Sequence, residues 1–387
     1  MIISRLHLKN WRNFKHADVN LRERVYIIGP NAAGKSNLLD VLRFLRDVAK
    51  PDGGGLQKAV KERGGIKKLR SLNARRDPQI LIEVELSEQV DVPAIWRYTL
   101  VLKSEGTGQQ RPVVAREEVV DLRKRKKYVD RPDSIDQQDK ERLTETHLEQ
   151  VNSNKEFRAL ADFFSSTTYL HLVPQLLKYG EKLGGSLLDG DPFGQAFLQR
   201  IAKSTPRVQL SRLKKIERAL TVCVPNMRKL AFDRDKTTGA PHLIALYEHW
   251  RPDAGWQRET EFSDGTLRLL GIMWSLLDGD GLLLLEEPEL SLNESIVERI
   301  HKLIVQMQRE AKYSRQVFIT THSDALLRDR SMDVREVIRL EPTEDGTVVH
   351  EASDTDIKAI KAGYTIAEAL LPKVRPMHLD QLSLFDR

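Results

Sequence analysis

Strict alternation of apolar and polar residues over Ile80-Leu81-Ile82-Glu83-Val84-Glu85-Leu86 predicts a half-buried β-strand, and Arg97–Leu102 predicts another. The short apolar run Val25-Tyr26-Ile27-Ile28 predicts a strand that gives way at once to glycine and then to a helical run, Asn37–Leu42. Four consecutive leucines, Leu282–Leu285, predict a central parallel strand covered on both faces. Gln316–Thr320 predicts one more strand. Apolar residues at helical spacing mark Leu210–Leu220 and Leu267–Trp274. Strands and helices alternate from about residue 240 to 340, as in an α/β core. Residues 104–235 form a polar middle zone, and its stretch Asp130–Lys155 is expected to be mobile, either helical or disordered. Heptads are not sustained anywhere, so an extended coiled coil is not expected.

Composition changes this picture little. Of 387 residues, 40% are apolar and 30% charged, the balance of a folded chain rather than a disordered one. Apolar runs all fall short of the roughly 20 residues a membrane span needs, and Met1–Arg5 lacks a signal-peptide pattern. A single cysteine, Cys223, excludes intrachain disulfides and cysteine-rich metal sites. A cytoplasmic location is expected. The net charge of +6 is modest, but Arg123–Lys127 is an unbroken basic run. Lys61, Arg63, Lys67, Lys68, Arg70, Arg75 and Arg76 crowd a second segment. Both suit phosphate backbones, and both also suit a solvated loop.

The chemistry begins at Gly29-Pro30-Asn31-Ala32-Ala33-Gly34-Lys35-Ser36, a full G-x-x-x-x-G-K-[ST] phosphate loop between strand and helix. Glycines let backbone N–H groups curl around phosphates, and the helix N-terminus, with Asn37 in its first turn, adds partial positive charge. Lys35 reaches the β- and γ-phosphates, and the Ser36 hydroxyl holds Mg²⁺. ATP with Mg²⁺ is therefore the expected ligand pair.

The leucine strand ends in Glu286-Glu287-Pro288-Glu289. Carboxylates at the C-terminal edge of a parallel strand sit where open α/β sheets bind ligands. Neighbouring side chains point to opposite sides, so the two glutamates divide the work. Glu286 is expected to help hold Mg²⁺, and Glu287 to act as general base on the attacking water. Upstream, Ser263-Asp264-Gly265-Thr266 precedes a helix and forms a second anion cradle. One triphosphate hardly needs two cradles, so Ser263 and Gly265 are expected to close over nucleotide held by another copy. His322 ends the strand at Gln316–Thr321 and is expected to contact the γ-phosphate.

These motifs, with the opening Leu6-His7-Leu8-Lys9-Asn10-Trp11-Arg12-Asn13-Phe14, resemble the non-transporter branch of the ATP-binding-cassette superfamily. The chain is most similar to RecF/SMC/OLD-type ATPases and to the AAA15-like, AAA_21-type ATPases of bacteria. By position, Gly29–Ser36 takes the place of Walker A, Leu282–Glu287 of Walker B, and Ser263–Thr266 of the cassette signature. Leu290-Ser291-Leu292-Asn293 takes that of the D-loop, and His322 that of the switch histidine. The resemblance implies an α/β fold: a P-loop NTPase, specifically an ABC-type ATPase head with a mixed sheet and an inserted, partly helical subdomain. Expected boundaries are 1–103 for the first ATPase lobe, 104–235 for the insert, 236–345 for the second lobe, and 346–387 for a tail. Glu286 stands where transporters commonly have aspartate, and Asn293 where related proteins often have histidine or aspartate. The coupling glutamine has no clear signature; Gln79 and Gln175 are the candidates.

Lys35 and Ser263 lie much farther apart than in transporter cassettes, which argues against a transporter. Too few residues follow His322 for the Toprim nuclease of OLD-type enzymes, so cleavage would fall to a separate protein. Asp354-Thr355-Asp356 reads as a solvated turn rather than a metal site. Near the end, Gln381-Leu382-Ser383-Leu384-Phe385 matches the peptide by which bacterial replication and repair proteins dock on the sliding clamp. Two functions are expected. One is a dimeric or higher-order Mg²⁺-ATPase acting on DNA in repair or anti-phage defence, with a separate nuclease or effector. The other is a nucleotide-gated scaffold that restrains a partner toxin or nuclease.

Overall fold

In a computed structural model that describes residues 1–74, 77–106, 110–183, 190–251, 255–312 and 315–374, the chain divides into two units. Met1–Thr167, Gln316–His322 and the chain from Asp333 onward form the first; Thr168–Arg315 with Ser323–Met332 form the second. The first unit opens with β1 (Ile2–Trp11), β2 (Phe14–Asn20), β3 (Arg24–Ile28), α1 (Lys35–Ala49), α2 (Leu56–Glu62) and α3 (Ile66–Leu69). It continues through β4 (Ile80–Ser87), β5 (Trp96–Ser104), β6 (Pro112–Asp121), β7 (Lys126–Arg131), α4 (Ser134–Gln138) and α5 (Arg158–Ser165). The second unit begins at β8 (Thr168–Leu170), followed by α6 (Pro174–Leu183), α7 (Phe197–Lys203) and α8 (Pro206–Cys223). Strands β9 (Met227–Arg234), β10 (Pro241–Tyr247) and β11 (Trp256–Arg258) come next. They are followed by α9 (Asp264–Leu277), β12 (Leu283–Glu286), α10 (Glu294–Val297) and α11 (Ile300–Glu310). Strand β13 (Val317–Thr320) rejoins the first unit, and α12 (Asp324–Leu327) belongs to the second. The hairpin of β14 (Val337–Thr343) and β15 (Gly346–His350), with α13 (Asp354–Lys361) and α14 (Ile366–Leu370), completes the first.

Two sheets organise the first unit. One is antiparallel in the order β2-β1-β4-β5-β6-β7. Its pattern is the predicted one: Ile80, Ile82, Val84 and Leu86 are fully buried, and Glu83 and Glu85 between them are only partly so. In the other, β3 lies between β13 and β14, parallel to both, and β14 turns back antiparallel into β15. Val25–Ile28 are wholly buried, as a strand paired on both edges and covered on both faces requires. This places the end of β3 in the most constrained part of the unit.

Ion pairs fix the helix that follows. Arg63 reaches both Asp40 and Asp47 of α1, while Arg12 bonds Asp40 at 2.6 Å. Burial pushes the Asp40 pKa up, but Arg63 and Arg12 outweigh it and hold the carboxyl below its usual range.

The stretch Asp130–Lys155, expected to be mobile and either helical or disordered, carries α4 and a short helical turn at Lys140–Thr144, packed around a buried charge network. Arg131, 2% exposed, donates to Asp136 and Glu117, and Glu117 also accepts the His147 and Leu148 amides. The polar composition conceals a core, because these charges are satisfied by one another. Strands β6 and β7 of this middle zone belong to the antiparallel sheet.

The second unit contains the antiparallel sheet β11-β10-β9 and the parallel pair β8–β12. Helix α9 is largely apolar and buried from Thr266 to Leu277, with Arg268 the one charged side chain in that span. Arg315, 1% exposed, ties this region together by donating to the carbonyls of Ser275, Asp278, Gly281 and Leu282. Among the described residues no helix is long and apolar enough to cross a membrane.

Candidate functional site

The phosphate loop connects the buried end of β3 to α1. Gly34 has φ 97°, a conformation that favours glycine, and a Cβ there would lie 2.1 Å from the Asn13 amide nitrogen. Gly29 is tight for a different reason, since a Cβ would meet the Leu340 carbonyl oxygen at 2.9 Å. Helix α1 then opens with no side-chain cap among the described residues and no acid in its first turn. The first turn therefore carries no negative charge of its own to compete with an anion. The Lys35 Nζ is buried and folds back onto the carbonyls of Gly29 and Pro30 at 3.0 and 3.1 Å. Ser36 is exposed beside it.

Residues outside the motif brace this loop. Asn13, in the turn between β1 and β2, donates to the Ala33 carbonyl at 3.0 Å and accepts from Asn37 at 2.7 Å. Thr347, on β15, donates its hydroxyl to the same Ala33 carbonyl at 2.9 Å, and its amide donates to the Asn13 carbonyl. Trp11 adds a bond from its ring N–H to the Asn37 carbonyl. Sequence reasoning missed Asn13 and Thr347 as loop supports; 334 positions separate them, and only the packing of β15 against β2, from two different sheets, brings them together.

Strand β13 carries His322 to the same end of this sheet. Thr320 is level with Ile27 of β3, and the Thr321 amide donates to the Ile27 carbonyl. His322 therefore follows at the level where β3 becomes the phosphate loop, and it is exposed. Lys35, Ser36 and His322 are thus gathered at one sheet edge of the first unit.

The second unit gathers the remaining predicted residues around α9. Glu286 ends β12 and accepts the Tyr169 hydroxyl from the paired strand β8. Glu287 has φ 45°, so the chain turns sharply there. Ser263 is the N-cap of α9: its hydroxyl accepts the Thr266 amide at 3.1 Å and pairs with the Thr266 hydroxyl at 2.8 Å. A Cβ on Gly265 would come within 3.0 Å of the Ser291 carbonyl, so the start of α9 abuts the Leu290–Asn293 segment. Asn293 caps α10 by accepting the Ser295 amide, a structural reason for asparagine at that position. Gln175, one glutamine candidate, donates to Asp264, as does Lys178. Gln79, the other, begins the approach to β4, where its carbonyl accepts from Asn10.

Arg268, one turn along α9, carried no signal in the sequence. It is 5% exposed and its Nε finds no acceptor among the described residues. Burial pushes its pKa down, while the charges of Glu289, Asp264 and Glu287 oppose that shift.

The basic runs fare unequally. Arg123 pairs with Glu88, Lys127 with Glu118 and Asp130, and Lys126 lies over Tyr128, so much of that run is neutralised locally. Arg63 is committed to Asp40 and Asp47, whereas Lys61, Lys67 and Lys68 are exposed. Asp356 belongs to a helix cap, accepting from Ser353 and pairing with Lys373. The peptide Gln381, Leu382, Ser383, Leu384 and Phe385 lies outside the described residues, as do Arg75 and Arg76.

Comparison with known proteins gives a family and a fold. Residues 25–328 match the family described as "AAA domain, putative AbiEii toxin, Type IV TA system". A stretch of 62 residues is 36% identical to the DNA replication and repair protein RecF of Roseiflexus castenholzii, covering 16% of this chain and 16% of that protein. The structure of the Smc head bound to the C-winged helix domain of ScpA superposes with a TM-score of 0.53 at 14% identity, covering 92% of this chain and 100% of that one. The Smc head domain from Thermotoga maritima gives 0.48 at 14% identity, covering 91% and 100%. The chain belongs to this AAA family, and its fold is that of an Smc head.

Proposed function

We propose that the chain is a cytoplasmic, Mg²⁺-dependent ATP hydrolase that closes as an ATP-gated dimer. Its setting is DNA repair or anti-phage defence, beside a separately encoded nuclease or effector. The observation that carries this reading is the phosphate loop, with Gly34 at φ 97° opening an uncapped helix and Lys35 resting on the Gly29 and Pro30 carbonyls. Lys35 exchanges those carbonyls for β- and γ-phosphate oxygens when nucleotide enters. The attacking water gives its proton to Glu287 as its oxygen bonds to the γ-phosphorus, and the bond from that phosphorus to the ADP oxygen breaks. His322 holds the γ-phosphate, and Ser263 and Gly265 of a second copy complete its surroundings.

Mg²⁺ would be held by the Ser36 hydroxyl and the Glu286 carboxylate. So small a protein donor set fits a cation that keeps several waters and takes its other oxygens from substrate phosphates. An ion held there would supply charge neutralisation for the triphosphate.

The RecF relative supports a DNA-linked role, and the toxin–antitoxin wording of the family description favours a second reading, a nucleotide-gated regulator of a partner toxin. Steady-state ATP hydrolysis by the full chain, with and without linear duplex DNA, separates them. DNA stimulation that is lost in Glu287→Gln supports the first. Turnover that ignores DNA removes direct DNA action, and turnover equal in wild type and Glu287→Gln removes the general base.

A further inference from the structure

The C-terminal end of α8 and the α10–α11 segment enclose a groove of about 740 Å³. Ala219, Val222, Ile296 and Leu303 give it an apolar lining, and Val222 is left 80% exposed. Three cations, Arg218, Arg299 and Lys302, stand around it, with no carboxylate among the described lining residues. Lys302 meets an acid only at 3.9 Å, where Asp329 lies, and Arg218 and Arg299 form no ion pair with a described residue. Three like charges about an apolar trough favour an occupant of opposite charge.

We infer that this groove receives an acidic, amphipathic segment of a partner protein, with its apolar side chains on Val222, Ile296 and Leu303 and its carboxylates on Arg218, Arg299 and Lys302. The surface is the helix-in-groove kind, in which apolar anchors give affinity and rim charges give selectivity. Nucleic acid fits it less well, since no aromatic ring lines the groove to stack on bases. Asn293 and Ser295, which form the cap of α10, line the same groove. An occupant therefore touches the segment that follows Leu290–Leu292, and partner binding gains a route to the candidate catalytic residues.

The test is selection of displayed random peptides, about 12 residues long, on the full chain without nucleotide, so that it does not depend on hydrolysis. The Arg299→Glu/Lys302→Glu double variant serves as counter-target, and Arg218→Gln as a milder second variant. The expected outcome is enrichment of peptides that mix Asp or Glu with Leu, Ile or Phe, bound about tenfold or more weakly by the double variant. Cys223, the sole cysteine, lines the groove, so the selected peptide should also slow its alkylation by a maleimide in the wild-type chain. Several outcomes overturn the proposal: no enrichment, enrichment of neutral or basic sequences, or binders that leave Cys223 alkylation unchanged. Protection of Cys223 by a short single-stranded oligonucleotide in place of the peptide also overturns it.

Discussion

Asn13 and Thr347 converge on one atom, the Ala33 carbonyl oxygen, at 3.0 and 2.9 Å. Ala33 precedes the glycine that opens α1, so these two bonds hold the phosphate loop from behind. Asn13→Ala removes the amide that donates to Ala33 and the oxygen that accepts from Asn37. Each lost bond costs about 1 kcal/mol, so the two together should lower ATP affinity about 30-fold. Thr347→Val deletes one donor and should cost less than Asn13→Ala. Isothermal titration with ATP measures both, and unchanged affinity in both variants would show that the loop keeps its shape unaided.

Lys35 and Glu287 should separate binding from chemistry. Lys35→Ala removes the cation that meets the phosphates, and ATP binding should be lost. Glu287→Gln keeps the shape of the side chain but cannot take a proton, so binding persists while turnover falls by about 100-fold or more. The same variant should accumulate as an ATP-dependent dimer by light scattering. A Glu287→Gln chain that stays monomeric with saturating ATP would count against the gated dimer.

Arg268 should reveal a conflict between stability and activity. A guanidinium 5% exposed, with its Nε unsatisfied among the described residues, loses more hydration than it regains. Arg268→Met fills similar volume without charge, and its thermal midpoint should equal or exceed that of the wild type. Hydrolysis should fall, because Glu287 and Glu289 lose the cation whose field they share. Lower stability together with full activity would mark Arg268 as structural.

Glu149 gives the fold a pH dependence. It accepts the Leu56 amide, at the start of α2, and both the amide and hydroxyl of Thr146. Burial pushes its pKa up to about 7 from an ordinary 4.5, more than those hydrogen bonds bring it down; Glu145 adds to the rise. Between those values the folded chain binds the extra proton, so this contribution is present at low pH and is lost as pH rises through about 7. Glu149→Gln should abolish that component of the fall in thermal midpoint between pH 5 and 8. An identical pH profile in wild type and variant would refute the assignment.

The legible parts of this protein were those written in local sequence. Ile80–Leu86 alternates because one face of its strand is buried, and the structure keeps that alternation residue by residue. The phosphate loop was readable because Gly29 and Gly34 answer to close packing and backbone conformation. The buried charge network around Asp130–Lys155 was not legible, because composition reports polarity but not pairing. Arg131, Glu117 and Asp136 look like a solvated run until each is seen to neutralise another. Arg123–Lys127 reads as a surface for phosphate, yet neighbouring strands supply acids that occupy much of it.

The sequence by itself determined the loop motif, the strand that ends at Glu286, and the helix that Ser263 caps. Each depends on residues near one another in the chain, where spacing fixes geometry. Only the tertiary structure decided what surrounds them. It set Asn13 and Thr347 on one carbonyl, Tyr169 on Glu286, and the buried Arg268 in the field of Glu289, Asp264 and Glu287. Those partners lie on separate strands and helices, and hydrogen bonds and burial between them leave no periodic trace in a single sequence. Packing selects them, because a polar group removed from water must find its counterpart wherever the fold brings one.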